Sequence, residues 1–249
     1  MPGFKKRNPV IAPWNHNVSV DFNGSNEVLA NTTAQAIGIA NVWSIAVWVK
    51  TISSTSASII ALIGGTPASS ASRISIRTGT LSSSAFQPTL ADSSATAFKD
   101  YTCSSFFTDN VWTHITLTWD GTTFLIYKNG VIVTPNSLNT DNAGTMADDS
   151  RPVGIGASST NTSGEPCRVH SMVVWNVVLT QAEITSLYNQ GRGSSTNPYV
   201  IQPTALKHCW LVGFGGNLGF DNVASGAISL NANAVNVTEA GDVVYDSPA

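Results

Sequence analysis

The chain has 249 residues, 42% of them hydrophobic and only 11% charged, with a net charge of −3. Its 20 Gly and 11 Pro fall well short of the roughly 25–30% that marks collagen-like or low-complexity chains, so a folded domain is expected. The weak acidic balance offers no broad cationic face for a phosphate backbone, which argues against nucleic acid as a partner.

Length leaves the domain count open, because β-sandwiches of about 200–250 residues fold as one unit. Cys103, Cys167 and Cys209 are too few and too widely spaced for a disulfide framework or a zinc site, and no structural disulfide is expected. The start of the chain places Lys5-Lys6-Arg7 before a stretch broken by Pro9 and Pro13, unlike a secretion signal. No apolar run of about 18 residues follows, so no membrane span is expected. Residues 1–16 read as an extended arm.

From Asn17 onward the apolar runs are short, β-branched or aromatic, and bounded by Gly, Asn, Asp or Ser, which are strand signals. Val18–Phe22 alternates and stops at Asn23-Gly24. Trp43–Lys50 is apolar on both alternating sets, as in a strand covered on both faces. Ser58–Ile63 ends at Gly64-Gly65, and Arg73–Arg77 alternates until Gly79. Between Thr80 and Ser105 the expectation is short strands joined by long loops.

The clearest pattern lies between Val111 and Val133. Thr113, Ile115, Leu117 and Trp119 share one strand face, followed by the hairpin signal Asp120-Gly121. Thr123–Lys128 then ends at the second hairpin signal, Asn129-Gly130, and Val131–Val133 completes a three-stranded meander. One helix is predicted over Gln181–Asn189. Thr180 and Glu183 have capping-box spacing, Ile184, Leu187 and Tyr188 form an apolar stripe, and Gly191 can end the helix.

These pieces, in this order, resemble the laminin-G-like, concanavalin A-like jelly-roll family. The resemblance is carried by Val20–Asn26, Ser44–Lys50, Trp112–Gly121, Tyr127–Val131, Val153–Gly156, Val173–Asn176, Leu179–Ile184 and Leu187–Gly191, covering about residues 17–191. It implies an all-β fold, a two-sheet antiparallel jelly-roll sandwich with one short amphipathic helix. The closing segments Leu206–Leu211, Asp221-Asn222 and Gly241–Pro248 resemble the ends of such domains in tailed-phage structural proteins. Residues 17–249 are accordingly taken as one domain, with 192–249 returning to the sandwich or forming a small C-terminal extension. The resemblance implies a virion protein made in the host cytoplasm, with capsid or tail proteins, glycans and further copies of the chain as partners. A secreted or cell-surface carbohydrate-binding adhesin is the alternative.

Catalysis by such folds needs two carboxylates about 5–9.5 Å apart. Glu27, Glu165, Glu183 and Glu239 are the only glutamates, Glu183 is assigned to the helix cap, and no alternating Glu/Asp set lies on a predicted strand. A non-enzymatic role is expected. His16, His114, His170 and His208 lie beside no nucleophile motif, and Cys167 reads as a small buried residue. No cofactor is expected beyond calcium, for which Asp141, Asp148 and Asp149 supply hard oxygen ligands; a polar turn is the plainer alternative. Sugar platforms would come from aromatic rings in irregular segments, namely Trp14, Tyr101 and Tyr199, with Phe86, Phe106 and Phe107 as further candidates. Trp43, Trp48, Trp112, Trp119 and Trp175 are assigned to the core.

Overall fold

The computed structural model describes residues 18–53, 58–64, 73–79, 82, 84–94, 96–147, 150–158, 164–190, 198–211, 233–235, 242–246 and 248. Along them run β1 (Ser19–Asn23), β2 (Val28–Ala36), β3 (Trp43–Thr51), β4 (Ile59–Ile63), β5 (Arg73–Arg77), β6 (Thr89–Ala91), β7 (Ala97–Thr102) and β8 (Thr113–Trp119). There follow β9 (Phe124–Lys128), β10 (Val131–Val133), β11 (Ser137–Asp141), β12 (Ser150–Ile155), β13 (Pro166–Trp175), α1 (Gln181–Gln190), β14 (Leu206–Leu211), β15 (Asn233–Val235) and β16 (Val243–Val244).

The strands form two antiparallel sheets. The first has the order β10-β9-β8-β3-β13-β1-β16, with β14 also on β13, and the second β11-β7-β6-β5-β4-β12-β2-β15. Non-consecutive neighbours such as β3 and β13 give the crossed connections of a jelly roll. On β13 a register shift between Val169 and Ser171 bends the strand. Its first half then pairs with β1 and its second half with β14. β14 pairs with β13, the strand before it, whereas β15 and β16 return to β2 and β1 near the start of the chain.

The core lies between the sheets. Trp43, Ile45, Val47 and Val49 of β3 and Ile115, Leu117 and Trp119 of β8 face Ile74 and Ile76 of β5, Leu90 of β6 and Val153 and Ile155 of β12 in one buried cluster. Asn129 and Gly130 take the positive φ values of 51° and 77° that a tight β9–β10 turn requires.

Helix α1 packs on the back of the first sheet. Ile184 and Leu187 join Ala46, Val173, Trp175 and Cys209 in a second cluster, and Trp175 Nε1 donates to the Ile201 carbonyl at 2.9 Å. The cap forms as the spacing requires: the Thr180 N–H donates to the Glu183 carboxylate at 2.7 Å, and the Glu183 N–H donates to Thr180 Oγ1 at 3.3 Å. Gly191 and the arm over residues 1–16 lie outside the described residues.

Two stretches differ from expectation. β2 arises in a sequence, Val28–Ala36, without a clear strand pattern, and β11 lies in a stretch to which no element was assigned. The aromatic candidates Phe86, Phe106 and Phe107 are core residues, packed with ring centroids 4.6–5.8 Å apart. None of the three presents an open face to a ligand.

Candidate functional site

Strand alternation sets the outward face of the second sheet. Ile74 and Ile76 turn into the core, so Arg73, Ser75 and Arg77 turn outward, and Leu90 does the same for Thr89 and Ala91 on β6. Register then aligns Ser75 with Thr89 and Thr89 with Asp100 across three strands. At the neighbouring edge a shift between Leu138 and Thr140 brings Asn139 onto the same face.

Asp100 is the hub of this face. It accepts from Gln87 Nε2 at 2.8 Å and Asn139 Nδ2 at 3.2 Å, and Arg77 Nη2 stands 3.7 Å from its second oxygen. Asn139 also donates to Thr102 Oγ1 at 2.8 Å, and Arg77 Nε donates to the Gln87 carbonyl at 3.3 Å. The network fixes Arg77, Gln87, Asp100, Thr102 and Asn139 in one arrangement.

Two groups on the face are left over. The Thr89 hydroxyl is buried and has no hydrogen-bond partner among the described residues. The half-buried Arg73 guanidinium makes no hydrogen bond or ion pair among the described residues. Burial lowers the Arg73 pKa from its ordinary value, the Arg77 charge lowers it further, and Asp100 works the other way. Fixed guanidinium and amide donors beside an unused hydroxyl are groups that hydrogen-bond vicinal hydroxyls and oxyanions.

The outward face of the first sheet carries a second polar cluster, at the end away from α1. Lys50, Arg168 and Asp21 stand in register on β3, β13 and β1. Arg168 donates to Asp21 Oδ2 from Nε at 3.1 Å and from Nη2 at 3.0 Å, and both Arg168 and Lys50 pair with Asp246. Every charge in this cluster has a partner, so it ties the chain's end to the sheet.

The residues expected from sequence do not converge. Asp141, at the end of β11, accepts from Lys99 Nζ and from Tyr101 Oη, the latter at 2.7 Å. These two hydrogen bonds hold its carboxyl below the usual range. A calcium ion there would have to displace an ammonium group. Asp148 and Asp149 lie outside the described residues, and among the described residues no three His, Cys, Asp or Glu side chains are grouped to hold a metal. Tyr101 is 6% exposed, its ring against Phe124, so it is no open sugar platform. Tyr199 is half-buried against the Trp175 cluster, and Trp14 lies outside the described residues. Trp43, Trp48, Trp119 and Trp175 are buried, and Trp112 is half-buried.

Three of the four glutamates are described and Glu239 lies outside the described residues. Glu27 accepts from the Asn23 N–H and side chain, Glu183 caps α1, and Glu165 is fully buried. His114 is buried between Trp48 and Tyr188, and burial pushes its pKa down to about 3. Cys103, Cys167 and Cys209 are free thiols, all buried, and burial raises Cys167 well above the ordinary thiol range.

The outward face of the second sheet was not singled out from sequence. Its one local signal was the alternation that puts both Arg73 and Arg77 on the polar side of a strand, in a chain with only 12 Lys and Arg.

A sequence profile for the laminin-G-like type of the concanavalin A-like lectin/glucanases superfamily matches residues 22–185, well over half of the chain. A search of curated protein sequences gives no significant match. Among solved structures the chain is similar to a putative carbohydrate binding protein from Bacteroides ovatus, with a TM-score of 0.60 and 15% identity. That match covers 94% of this chain and 61% of the other. A native heptameric SAP-like pentraxin from Limulus polyphemus matches with a TM-score of 0.51 and 15% identity, over 69% of this chain and 82% of the pentraxin. Profile, sheet order and core together place the chain in the concanavalin A-like lectin/glucanases superfamily, to which it belongs.

Proposed function

We propose that this protein is a non-enzymatic saccharide-binding β-sandwich, with its site on the outward face of the second sheet. The observation that carries the reading is the Asp100-centred network, which holds Arg77, Gln87 and Asn139 rigid on one face. A pre-organised polar face loses little entropy when a hydroxyl-rich ligand docks. The similar Bacteroides ovatus protein, described as a putative carbohydrate binding protein, supports the same reading.

The non-enzymatic part is supported by the three described glutamates, since Glu27 and Glu183 are engaged by backbone and side-chain donors and Glu165 is fully buried. Display on a phage capsid or tail, against neighbouring virion proteins, rests on the resemblance of the closing segments to tailed-phage structural proteins. The same site would serve a secreted adhesin.

A glycan array probed with the full chain tests the binding. Saccharide binding that disappears in an Arg77→Ala/Asp100→Ala variant with an unchanged near-UV circular dichroism spectrum supports the proposal. No binding by the wild type, or undiminished binding by the variant, overturns it. Mass spectrometry of purified phage particles tests the location; absence of the chain from them overturns virion display.

A further inference from the structure

We infer that the protein forms a two-fold dimer through β10, the open edge of the first sheet, and that the strand completing this edge is β10 of a second copy.

Exposed apolar side chains gather at one lateral margin of the sandwich. β10 ends the first sheet and β11 ends the second, and only residues 134–136 join them, so both edges lie on the same side. Three of the seven large apolar side chains exposed among the described residues are here: Val131 at 65%, Leu138 at 54% and Ile132 at 53%. Edge strands of soluble proteins are ordinarily blunted by charges, proline or a bulge. β11 carries such a device, the register shift between Leu138 and Thr140. β10, though short, carries none of the three: Val131-Ile132-Val133 is apolar throughout and pairs with β9 alone among the described strands.

The backbone of β10 is open as well. Lys128 and Val131 are register partners across the two-residue Asn129-Gly130 turn, and Val133 is the partner of Ile126. In such a hairpin the pair that closes the turn exchanges its hydrogen bonds inside the hairpin, and so does every second pair after it. The intervening Ile132 therefore turns its N–H and C=O to the free edge. Its side chain lies on the Tyr127 side of the sheet, which α1 shares, while Val133 packs on the core between the sheets.

A second copy suits this edge. Antiparallel pairing about a two-fold axis at Ile132 lets its N–H meet the carbonyl of the partner's Ile132 and sets Val131 against the partner's Val133. Identical chains bring identical charges, and like charges set opposite each other are destabilising. The edge avoids that cost, because residues 129–140 contain no Asp, Glu, Lys or Arg. The nearest cation, Lys128, lies one strand further in, which places the two copies of it roughly 16 Å apart between Cα atoms, beyond the Debye length of about 8 Å. A charged peptide would find no counter-charge on β10. A two-fold axis normal to the sheet also leaves both copies presenting the outward face of the second sheet in one direction, which suits a multivalent glycan surface. That consequence rests on the saccharide reading; the dimer does not.

Sedimentation velocity of the full chain over a hundred-fold range of micromolar concentrations tests this, together with cysteine cross-linking. The wild type is expected to pass reversibly from monomer to dimer. Ile132→Lys, which sets two ammonium groups against each other at the axis, should weaken dimerisation at least ten-fold. Tyr245→Lys, which alters an exposed side chain at the opposite edge of the same sheet, should leave it unchanged. Near-UV circular dichroism like that of the wild type shows that both variants are folded. Ile132→Cys should give a disulfide-linked dimer on mild oxidation, because paired residues at the axis lie about 5.5 Å apart between Cα atoms, within disulfide reach, and Cys103, Cys167 and Cys209 are all buried. A wild type that stays monomeric throughout, a dimer indifferent to Ile132→Lys, or an Ile132→Cys protein that does not cross-link would each overturn the inference, and the glycan array judges the saccharide reading separately.

Discussion

The indole Nε1 of Trp112 donates to a carboxylate oxygen of Asp246 at 3.1 Å, joining positions 134 residues apart. Lys50 and Arg168 pair with the other oxygen of the same carboxylate, and Ser19 Oγ donates to the Asp246 carbonyl at 2.6 Å. The Asp246 side chain therefore satisfies groups from β3 and β13 and from the segment before β8, and its main-chain carbonyl takes a hydroxyl from β1. Asp246→Ala is expected to cost roughly 1–2 kcal/mol, a value set by its partial exposure rather than by a fully buried pair. For a domain of this size that lowers Tm by about 2–8 °C. Differential scanning calorimetry checks it, and an unchanged Tm would remove Asp246 as the anchor.

The same carboxylate sets an acid limit. Burial acts to raise the Asp246 pKa, but the hydrogen bonds from Lys50, Arg168 and Trp112 outweigh it and hold the value below the ordinary one. A carboxylate so lowered stabilises the fold above its unfolded value of about 3.9 and loses that contribution as pH falls through the folded value. Urea melts between pH 5 and 2.5, ranges chosen around about that value, should show a steeper loss in the wild type than in Asp246→Asn.

His114 gives a slope at higher pH. Its pKa of about 3 in the folded protein lies far below the roughly 6.5 of an unfolded histidine, because burial disfavours the imidazolium. The unfolded chain binds the proton first, so stability is fully present above about pH 6.5 and declines progressively below it. His114→Phe, which retains an aromatic ring beside Trp48 and Tyr188, should reduce that decline between pH 6.5 and 4, an interval starting at about the unfolded value. Denaturant midpoints of both proteins across this interval check it.

Gly156 tests the packing between the end of β12 and β1. Its φ is +90°, and a Cβ there would meet the ring of buried Phe22. Gly156→Ala combines backbone strain with overpacking and is expected to cost roughly 2–4 kcal/mol. A chemical denaturation midpoint close to that of the wild type would contradict this.

Much of the sandwich was legible because its signals are local. The Thr113–Val133 meander is written in alternation and two turn dipeptides, and α1 in a capping box. β2 was not legible because Asn31-Thr32-Thr33-Ala34-Gln35-Ala36 is small and polar, and the segment becomes a strand by pairing with β12 and β15. β11 was missed because its residues are mostly exposed on an edge, where no apolar alternation is required. The candidate site was illegible for another reason. Arg77, Gln87, Asp100 and Asn139 meet only through the register of β5, β6, β7 and β11, and no spacing within one segment encodes that meeting. Tyr101 read as a loop aromatic, whereas pairing with Asp141 and packing on Phe124 make it a core ring.

The most direct test of a saccharide site on the second sheet is an NMR titration of the isotope-labelled full chain with a saccharide that the glycan array selects. Amide shifts concentrated at residues 73–77, 87–91, 100–102 and 139 are the expected result. Shifts confined to the first sheet, around Lys50, Arg168 and Asp246 or beneath α1, with the second sheet unmoved, would contradict it.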